Sequence, residues 1–309
     1  MKKIKIIFFG SFQHYSTIIL ERLIKSNLVD IVGVVTTPPM PAGRKKILKK
    51  THVHEFAEKN NLKIFIPETL DEQYLIANLA CRQAGIQYLA PDLFLTAGYG
   101  KLLPKSWLDY PKLGSLNLHF SLLPKYRGAN PAEWAILNGE KETGITLIEM
   151  SEKFDQGAML AQAKISINDN DTRETVYEKL YKLGADKLAQ WLLDYSNNKL
   201  TQTPQGKSPT PYAKRLKRQD GFIAWEDIKN AMENYPVETR HSVSQNIARK
   251  VRALTGFPGV WTLIPTKNNQ RRMKILSCKV KENKLILEKV QIEGQDKANW
   301  NQVKNIVIS

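Results

Sequence analysis

The opening segment of the chain sets the tightest limit on its fold. Residues 5–10 are a continuous apolar run of strand length, typical of a strand buried on both faces of a parallel sheet. A helical pattern over 15–25 and a second apolar strand over 30–36 follow. Because parallel neighbours need such a crossover, this opening predicts a doubly wound, Rossmann-like, mostly parallel α/β sheet. The loop 10–13 lacks the glycine spacing of a dinucleotide fingerprint, so no nicotinamide cofactor is indicated.

The stretch 114–157 carries the residues that most resemble reactive groups. Apolar and polar side chains alternate over 116–120, so Asn117 and His119 are expected on one side of a strand. Asp155 comes after another predicted strand, 144–150, in a turn closed by a glycine. An amide, an imidazole and a carboxylate are thus predicted at the ends of neighbouring strands, where open α/β sheets bind ligands.

Each of these three residues also has an ordinary structural interpretation. A single histidine on a strand is commonly just hydrogen bonded, and an asparagine beside it is often a turn or cap residue. An aspartate before a glycine is frequently only a turn residue. The hypothesis of a catalytic site therefore depends on the three residues occurring together.

Composition restricts the class of protein and its partners. At 309 residues, with 42% hydrophobic and 25% charged residues, the chain suits two globular domains. Its formal net charge of +16 favours a polyanionic partner, with nucleic acid ahead of an anionic membrane surface. A solvated basic surface is the alternative interpretation.

Cations are concentrated in the proline-containing loop 37–50. Five of them lie within seven positions, and their combined field would attract phosphate groups, although a charge run can also be a solvated face. The five are Arg44, Lys45, Lys46, Lys49 and Lys50.

Targeting and metal signals are weak. Cys81 and Cys278 are far apart and belong to no CxxC pair, so neither a disulfide framework nor a zinc site is indicated. The other histidines form no ligand cluster, and no metal is predicted. The apolar run at the start is too short for a signal peptide, and no segment is long enough to span a membrane. A cytoplasmic protein, monomeric by default, is expected.

The C-terminal third differs in pattern. A helical stretch over 172–195 is followed by the polar, proline-rich segment 197–211, which is typical of a linker. Five short strands and one helix are then predicted, which suits a small OB-like β-barrel. The strands are 222–225, 260–264, 273–280, 285–291 and 305–308, and the helix is 242–254.

These patterns predict two domains joined by a linker. We expect a catalytic domain over 1–196, the linker over 197–211 and an OB-like domain over 212–309. The last domain has 19 Lys and Arg against 9 Asp and Glu, so it carries most of the net charge. Such an excess suits binding of a phosphate backbone, and the affinity of that binding is expected to fall as salt rises.

Several motifs, in a shared order, resemble the folate-dependent formyltransferases and, among them, the methionyl-tRNA formyltransferases. They cover most of the chain, whereas the Asn-His-Ser-Leu-Leu-Pro core alone would indicate only the wider superfamily. Three positions depart from the family pattern: the loop 11–13, Pro39 and Phe120. The segment 77–88 is longer than usual. The motifs are TPPMPAGRKK, GYGKLLPK, NLHFSLLPKYRGANP, ETGITLIEM, FDQGAML, YAKRLKRQDGFIAW and GFPGVW.

The resemblance implies roles for particular residues. Asn117 and His119 would stabilise the oxyanion, with His119 also acting as general acid, and Asp155 would orient His119 and help remove the amine proton. The basic loop would contact the acceptor end of a tRNA through Arg44 and its neighbouring lysines. The residues expected to line the folate pocket are Gly98, Tyr99, Gly100, Ser121, Leu122, Leu123 and Pro124.

The implied reaction is transfer of the formyl group of 10-formyltetrahydrofolate to the α-amino group of methionine on initiator tRNA. The implied partners are the folate co-substrate and initiator methionyl-tRNA. A formyltransferase acting on a nucleotide-linked amino sugar shares the site but has no use for the basic loop. Two further hypotheses stay open: a formyltetrahydrofolate hydrolase, for which the second domain would be superfluous, and a non-catalytic RNA-binding protein.

Overall fold

The computed structural model describes residues 3–43, 45–76, 89–234, 237–267 and 269–307. The chain divides into two compact units. The first comprises Met1–Ala129, Thr143–Ile165 and Tyr177–Ala213, and the second comprises Asn130–Glu142, Ser166–Val176 and Lys214–Ser309. The segment 197–211, predicted as a linker, lies within the first unit.

A seven-stranded sheet organises the first unit. Its order is β5-β2-β1-β6-β7-β8-β9, and the pairings from β5 to β7 are parallel, whereas β8 runs antiparallel to β7. The predicted mostly parallel α/β sheet is confirmed. The strands are β1 Ile4–Phe9, β2 Val29–Val35, β5 Ile64–Phe65, β6 Leu93–Thr96, β7 Ser115–His119, β8 Glu142–Glu149 and β9 Met159–Ser166.

Among the described residues, five α-helices and one hairpin lie in the first unit, and the last of these helices begins in the second unit. They are α1 Tyr15–Ser26, α2 His52–Lys59, α3 Glu72–Ile76, α4 Lys105–Leu108 and α6 Arg173–Ser196, with a hairpin of β3 Met40–Ala42 and β4 Ile47–Lys49. The segment 77–88, which is longer than usual for the family, lies outside the described residues.

The core of the first unit lies on both faces of the sheet. On one face, the Phe9 ring packs 5.1 Å from Phe94 and 6.2 Å from Trp107, between ring centroids, and all three are fully buried. On the other face, a Cβ at Gly184 of α6 would lie only 2.8 Å from Leu118 of β7. The absence of a side chain at Gly184 thus lets α6 approach the central strands, whose carboxyl ends carry the site.

The second unit contains a four-stranded antiparallel sheet in the order β10-β11-β12-β13. The strands predicted over 260–264, 273–280 and 285–291 are confirmed. The strands are β10 Val260–Pro265, β11 Gln270–Lys281, β12 Lys284–Ile292 and β13 Lys297–Asn299, and the α-helices are α5 Pro131–Leu137, α7 Trp225–Lys229, α8 Val237–Ala253 and α9 Trp300–Val303.

Two of the predicted strands in this unit are wrong. The strand predicted over 222–225 is only a single bridge between Phe222 and Trp261, and α7 begins at Trp225. Glu226 and Asp227 occupy the first turn of that helix, where carboxylates are favoured by the helix dipole. The strand predicted over 305–308 is replaced by the 3-10 helix Lys304–Ile306, and residue 308 lies outside the described residues.

No helix among the described residues combines the length and the apolar character needed to cross a membrane.

Candidate active site

The site lies at the carboxyl ends of the central strands, where the chain order of the sheet reverses. β2 and β6 flank β1 on opposite sides. The loops that follow β1 and β6 are tied together, because Ser11 donates its backbone N–H to Gly98 O (3.0 Å) and its hydroxyl to Tyr99 O (3.1 Å). Such a switch point is the usual ligand crevice of open α/β sheets.

The side chains of Asn117 and His119 both contact one carboxylate oxygen of Asp155. Asp155 Oδ1 lies 3.2 Å from Asn117 Nδ2 and 3.3 Å from His119 Nδ1. Its second oxygen, Oδ2, accepts the backbone N–H of Gly128 at 2.8 Å. Asp155 holds this position with a left-handed backbone (φ 55°), and its side chain is only 10% exposed. The three predicted residues therefore form one group, held by a hydrogen bond and an ion pair.

The orientation of the Asn117 amide follows from its two partners. Thr96 donates its hydroxyl to Asn117 Oδ1 at 2.7 Å, and the ionised Asp155 carboxylate can only accept. The amide nitrogen of Asn117 must therefore face Asp155, and it donates one of its two N–H bonds to that carboxylate. The second N–H makes no hydrogen bond within the described structure, and it can donate to a reacting oxygen.

Both ring nitrogens of His119 have protein partners. Nε2 lies 3.0 Å from the backbone carbonyl of Tyr126, and a carbonyl can only accept, so this nitrogen carries a proton. Nδ1 faces Asp155, and the doubly protonated imidazolium satisfies both contacts. To donate to a substrate through Nε2, His119 would have to exchange the Tyr126 carbonyl for the substrate oxygen.

The surroundings shift the pKa values of the buried pair in opposite directions. Burial by itself lowers the pKa of His119, but the charge and hydrogen bond of Asp155 and the Tyr126 carbonyl outweigh it, so this pKa is raised. Burial by itself raises the pKa of Asp155, but His119, the Gly128 N–H and the Arg127 charge lower it overall. Both pKa shifts thus favour the imidazolium and carboxylate forms of the pair.

The residues predicted to line a folate pocket are found at the same edge of the sheet. The Tyr99 ring is 4% exposed and stacks edge-on against Phe9, so only the backbone of this turn can face a ligand. Gly98 and Gly100 both have φ of 73°, a conformation that favours glycine. Their contact with a folate stays a prediction.

The turn containing Ser121, Leu122, Leu123 and Pro124 is anchored by a residue that the sequence reasoning missed. Thr146 of β8 donates its hydroxyl to Ser121 O (2.6 Å) and accepts from Leu123 N–H (3.1 Å). Gln162 of β9 donates to Leu123 O at 2.9 Å. Thr146 appears in the sequence only as one polar residue within an apolar strand, so no local pattern singled it out. The folate contact of this turn also stays a prediction.

The basic loop forms the hairpin of β3 and β4. Lys45, Lys46 and Lys49 are exposed on it, whereas the Lys50 ammonium lies 2.6 Å from the Glu58 carboxylate. Arg44 lies outside the described residues.

Phe12, in the loop 11–13, and Phe120 are departures from the family pattern near the site, and both contact Tyr181. Phe120 stacks on Tyr181 with ring centroids 3.8 Å apart, and Phe12 stacks on the same Tyr181 at 6.2 Å. Tyr15 also stacks on Tyr181, at 5.4 Å. Phe12 and Phe120 are therefore accommodated because both rings pack against Tyr181 of α6, which also stacks on Tyr15 of α1.

No group of three or more His, Cys, Asp and Glu residues in the described ranges is arranged to hold a metal ion.

Comparison with known proteins gives matches along nearly the whole chain. The methionyl-tRNA formyltransferase of Enterococcus faecalis is 34% identical over 307 residues, covering 97% of this chain and 95% of that protein. A methionyl-tRNA formyltransferase structure from Clostridium thermocellum has a TM-score of 0.56 at 15% identity, covering 94% of this chain and 98% of that one. A sugar 3N-formyl transferase crystallised in the presence of dTDP and 5-N-formyl-THF has a TM-score of 0.56 at 23% identity, covering 91% and 88%.

The structural likenesses concern the fold, and the sequence matches identify the family. The model of the formyl transferase family matches residues 2–192, which is more than half of the chain. The chain therefore belongs to the formyl transferase family.

Proposed function

We propose that this chain transfers the formyl group of 10-formyltetrahydrofolate to the α-amino group of methionine on initiator methionyl-tRNA. The relatives that cover nearly the whole chain are methionyl-tRNA formyltransferases, which favours this substrate. A related structure obtained with 5-N-formyl-THF supports a folate co-substrate. The observation that carries the proposal is the carboxylate of Asp155, which Asn117 and His119 share.

The chemistry requires stabilisation of negative charge on the formyl oxygen. The amine nitrogen attacks the formyl carbon and a tetrahedral oxyanion forms; the bond from carbon to N10 then breaks, and the proton lost by the amine is balanced by the proton that N10 takes up. Asn117 supplies the second N–H of its oriented amide to that oxygen. Preorganised donors of this kind stabilise the transition state because they need no reorganisation during the reaction.

His119 contributes a cation beside the same oxygen and serves as general acid when Nε2 leaves the Tyr126 carbonyl. Asp155 keeps His119 protonated and fixes the ring. Its lowered pKa makes this carboxylate a weak proton acceptor, so positioning is its main role and removal of the amine proton is secondary.

The charge distribution suits an RNA substrate. Lys45, Lys46 and Lys49 project from an exposed hairpin in the first unit. The residues from 212 onward carry the larger share of the net charge of +16. Lysine side chains that neutralise phosphates release condensed counterions, so binding is expected to weaken steeply as salt rises.

The direct test is a formylation assay with the full chain and 10-formyltetrahydrofolate. Charged initiator tRNA, charged elongator methionine tRNA and a nucleotide-linked amino sugar are compared as acceptors. We expect formyl-methionine on the initiator tRNA and little on the other two. Formylation of the amino sugar alone would assign the chain to the sugar-modifying class, and release of formate without an acceptor would indicate a hydrolase.

A charge-reversal pair tests the role of the hairpin. Lys45→Glu with Lys49→Glu should raise the KM for tRNA and leave the kcat unchanged, because the change affects binding away from the reacting atoms. Lys187→Glu with Lys199→Glu makes the same change in net charge at exposed positions elsewhere and is the matched control. Equal effects of the two pairs would mean that only the overall charge matters.

A further inference from the structure

The segment 201–213, which follows α6, is tied to both loops of the active site. We call it the crossing segment. Thr203 exchanges two backbone hydrogen bonds with Met159, each 2.8 Å long. Ala213 donates to Arg127 O at 2.7 Å and accepts from Ala129 N–H at 2.8 Å. The crossing segment therefore runs from the strand that follows Asp155 to the turn that follows His119.

Gln205 lies between those two anchor points, and its side-chain amide is used at both ends. Nε2 donates to the backbone carbonyls of Asp155 (2.9 Å) and Gly157 (2.7 Å). Oε1 accepts from Arg127 Nε (2.9 Å) and Nη2 (2.7 Å). Arg127 Nη2 also donates to Gly206 O at 3.0 Å. One glutamine thus joins the turn of Asp155 to the turn of Arg127.

These contacts act on the geometry of the carboxylate in two ways, through the backbone carbonyl of Asp155 and through the Gly128 N–H that Oδ2 accepts. Asp155 has a left-handed backbone, which is unfavourable for a non-glycine residue unless its surroundings hold it. Gln205 holds the carbonyl of that residue directly. Through Arg127 it also holds the turn whose next residue, Gly128, donates to Asp155 Oδ2.

We propose that Gln205, supported by Arg127, is a positioning residue that sets the direction of the Asp155 carboxylate toward Asn117 and His119. Neither side chain needs to touch a substrate for this role. The effect on turnover rests on the proposed function, but the effect on His119 does not, because it can be measured without any substrate.

The test compares Gln205→Ala and Gln205→Glu with the wild-type chain. Alanine removes the side-chain amide. Glutamate keeps the size and an acceptor for Arg127 but places an oxygen opposite the carbonyls of Asp155 and Gly157. Both variants should therefore lose the hydrogen bonds that hold the backbone of Asp155. Gln202→Ala is the matched control, because Gln202 lies in the same crossing segment and donates instead to Glu149 Oε1 (2.6 Å).

Two readouts separate positioning from general stabilisation. Titration of the ¹⁵N-labelled His119 imidazole should show its pKa falling toward the ordinary value in Gln205→Ala and unchanged in Gln202→Ala. The kcat should fall roughly tenfold to a hundredfold with the KM unchanged, as expected for displaced catalytic groups. Arg127→Lys should retain more activity than Arg127→Ala, and combining Gln205→Ala with Arg127→Ala should add little.

The outcomes distinguish the two hypotheses. An unchanged His119 titration and an unchanged kcat in folded Gln205→Ala would overturn the positioning role. A lowered melting temperature with wild-type values for both readouts would likewise assign Gln205 to folding alone. A shifted titration in a chain that formylates no charged tRNA would support the positioning role and reject the proposed substrate.

Discussion

His119 Nδ1 lies 3.3 Å from Asp155 Oδ1, and both side chains are largely buried, with exposures of 7% and 10%. A buried ion pair is costly to form, and removing one partner leaves an unpaired buried charge. Here the carboxylate also accepts from Asn117 and Gly128, and the imidazole also donates to Tyr126. The additional hydrogen bonds satisfy both charges, and the pKa of His119 is accordingly raised and that of Asp155 lowered.

Asp155→Asn should lower the pKa of His119 and reduce the kcat. The substitution keeps the shape but removes the charge that offsets the cost of burying the imidazolium. Titration of the His119 ring by NMR, assigned with His119→Gln, measures the first effect, and single-turnover formylation measures the second. An unshifted titration would mean that the carboxylate does not control the protonation of His119.

The stability supplied by this pair should depend on pH in a defined direction. Because folding raises the pKa of His119, its contribution is complete below about pH 6.5 and is lost as pH rises through the raised value. Because folding lowers the pKa of Asp155, its contribution is present above about pH 3.8 and is lost as pH falls through the lowered value.

Urea unfolding of the wild type and Asp155→Asn checks this expectation. The difference in unfolding free energy between them should be largest in weakly acidic buffer and should shrink in alkaline buffer. A difference that stays constant across this range would contradict the assigned charges.

Asn117→Ala should reduce the kcat by about a hundredfold or more, which is the typical cost of removing one oxyanion donor. The fold should persist, because the deleted amide is half-buried and its partners, Thr96 and Asp155, keep other contacts. Asn60→Ala removes an exposed side-chain bond to Phe56 O and is the control for loss of an asparagine. Near-normal turnover of Asn117→Ala at a temperature where it is folded would reject the donor role.

Gly157→Ala should displace the turn that carries Asp155. An added Cβ would lie 1.8 Å from Glu149 O, a backbone atom that cannot move aside cheaply. A shift of about 1 Å in a catalytic group can cost on the order of a hundredfold in rate. Gly206→Ala is the control, because its Cβ would meet no atom within 4 Å. Activity and melting temperature should fall in Gly157→Ala and remain unchanged in Gly206→Ala.

Local pattern was sufficient for the elements that frame the site. The apolar run of β1 and the alternation in β7 predicted strands, and period-two geometry placed Asn117 and His119 on one side. The position of Asp155 beside them was a weaker inference, because it depended on two strands being neighbours. The second unit was predicted less well, since short apolar runs such as 222–225 satisfy helix and strand patterns equally.

The sequence by itself determined which strands form the sheet, which strand end bears the polar group and, through its motifs, the family of the chain. Tertiary structure alone decided the partners of that group. Thr96 and Gln205 reach it from 21 and 50 residues away, through hydrogen bonds to Asn117 and to the Asp155 backbone. Periodicity reports only the face on which a side chain lies, whereas a hydrogen bond between distant segments exists only after the chain has brought them together.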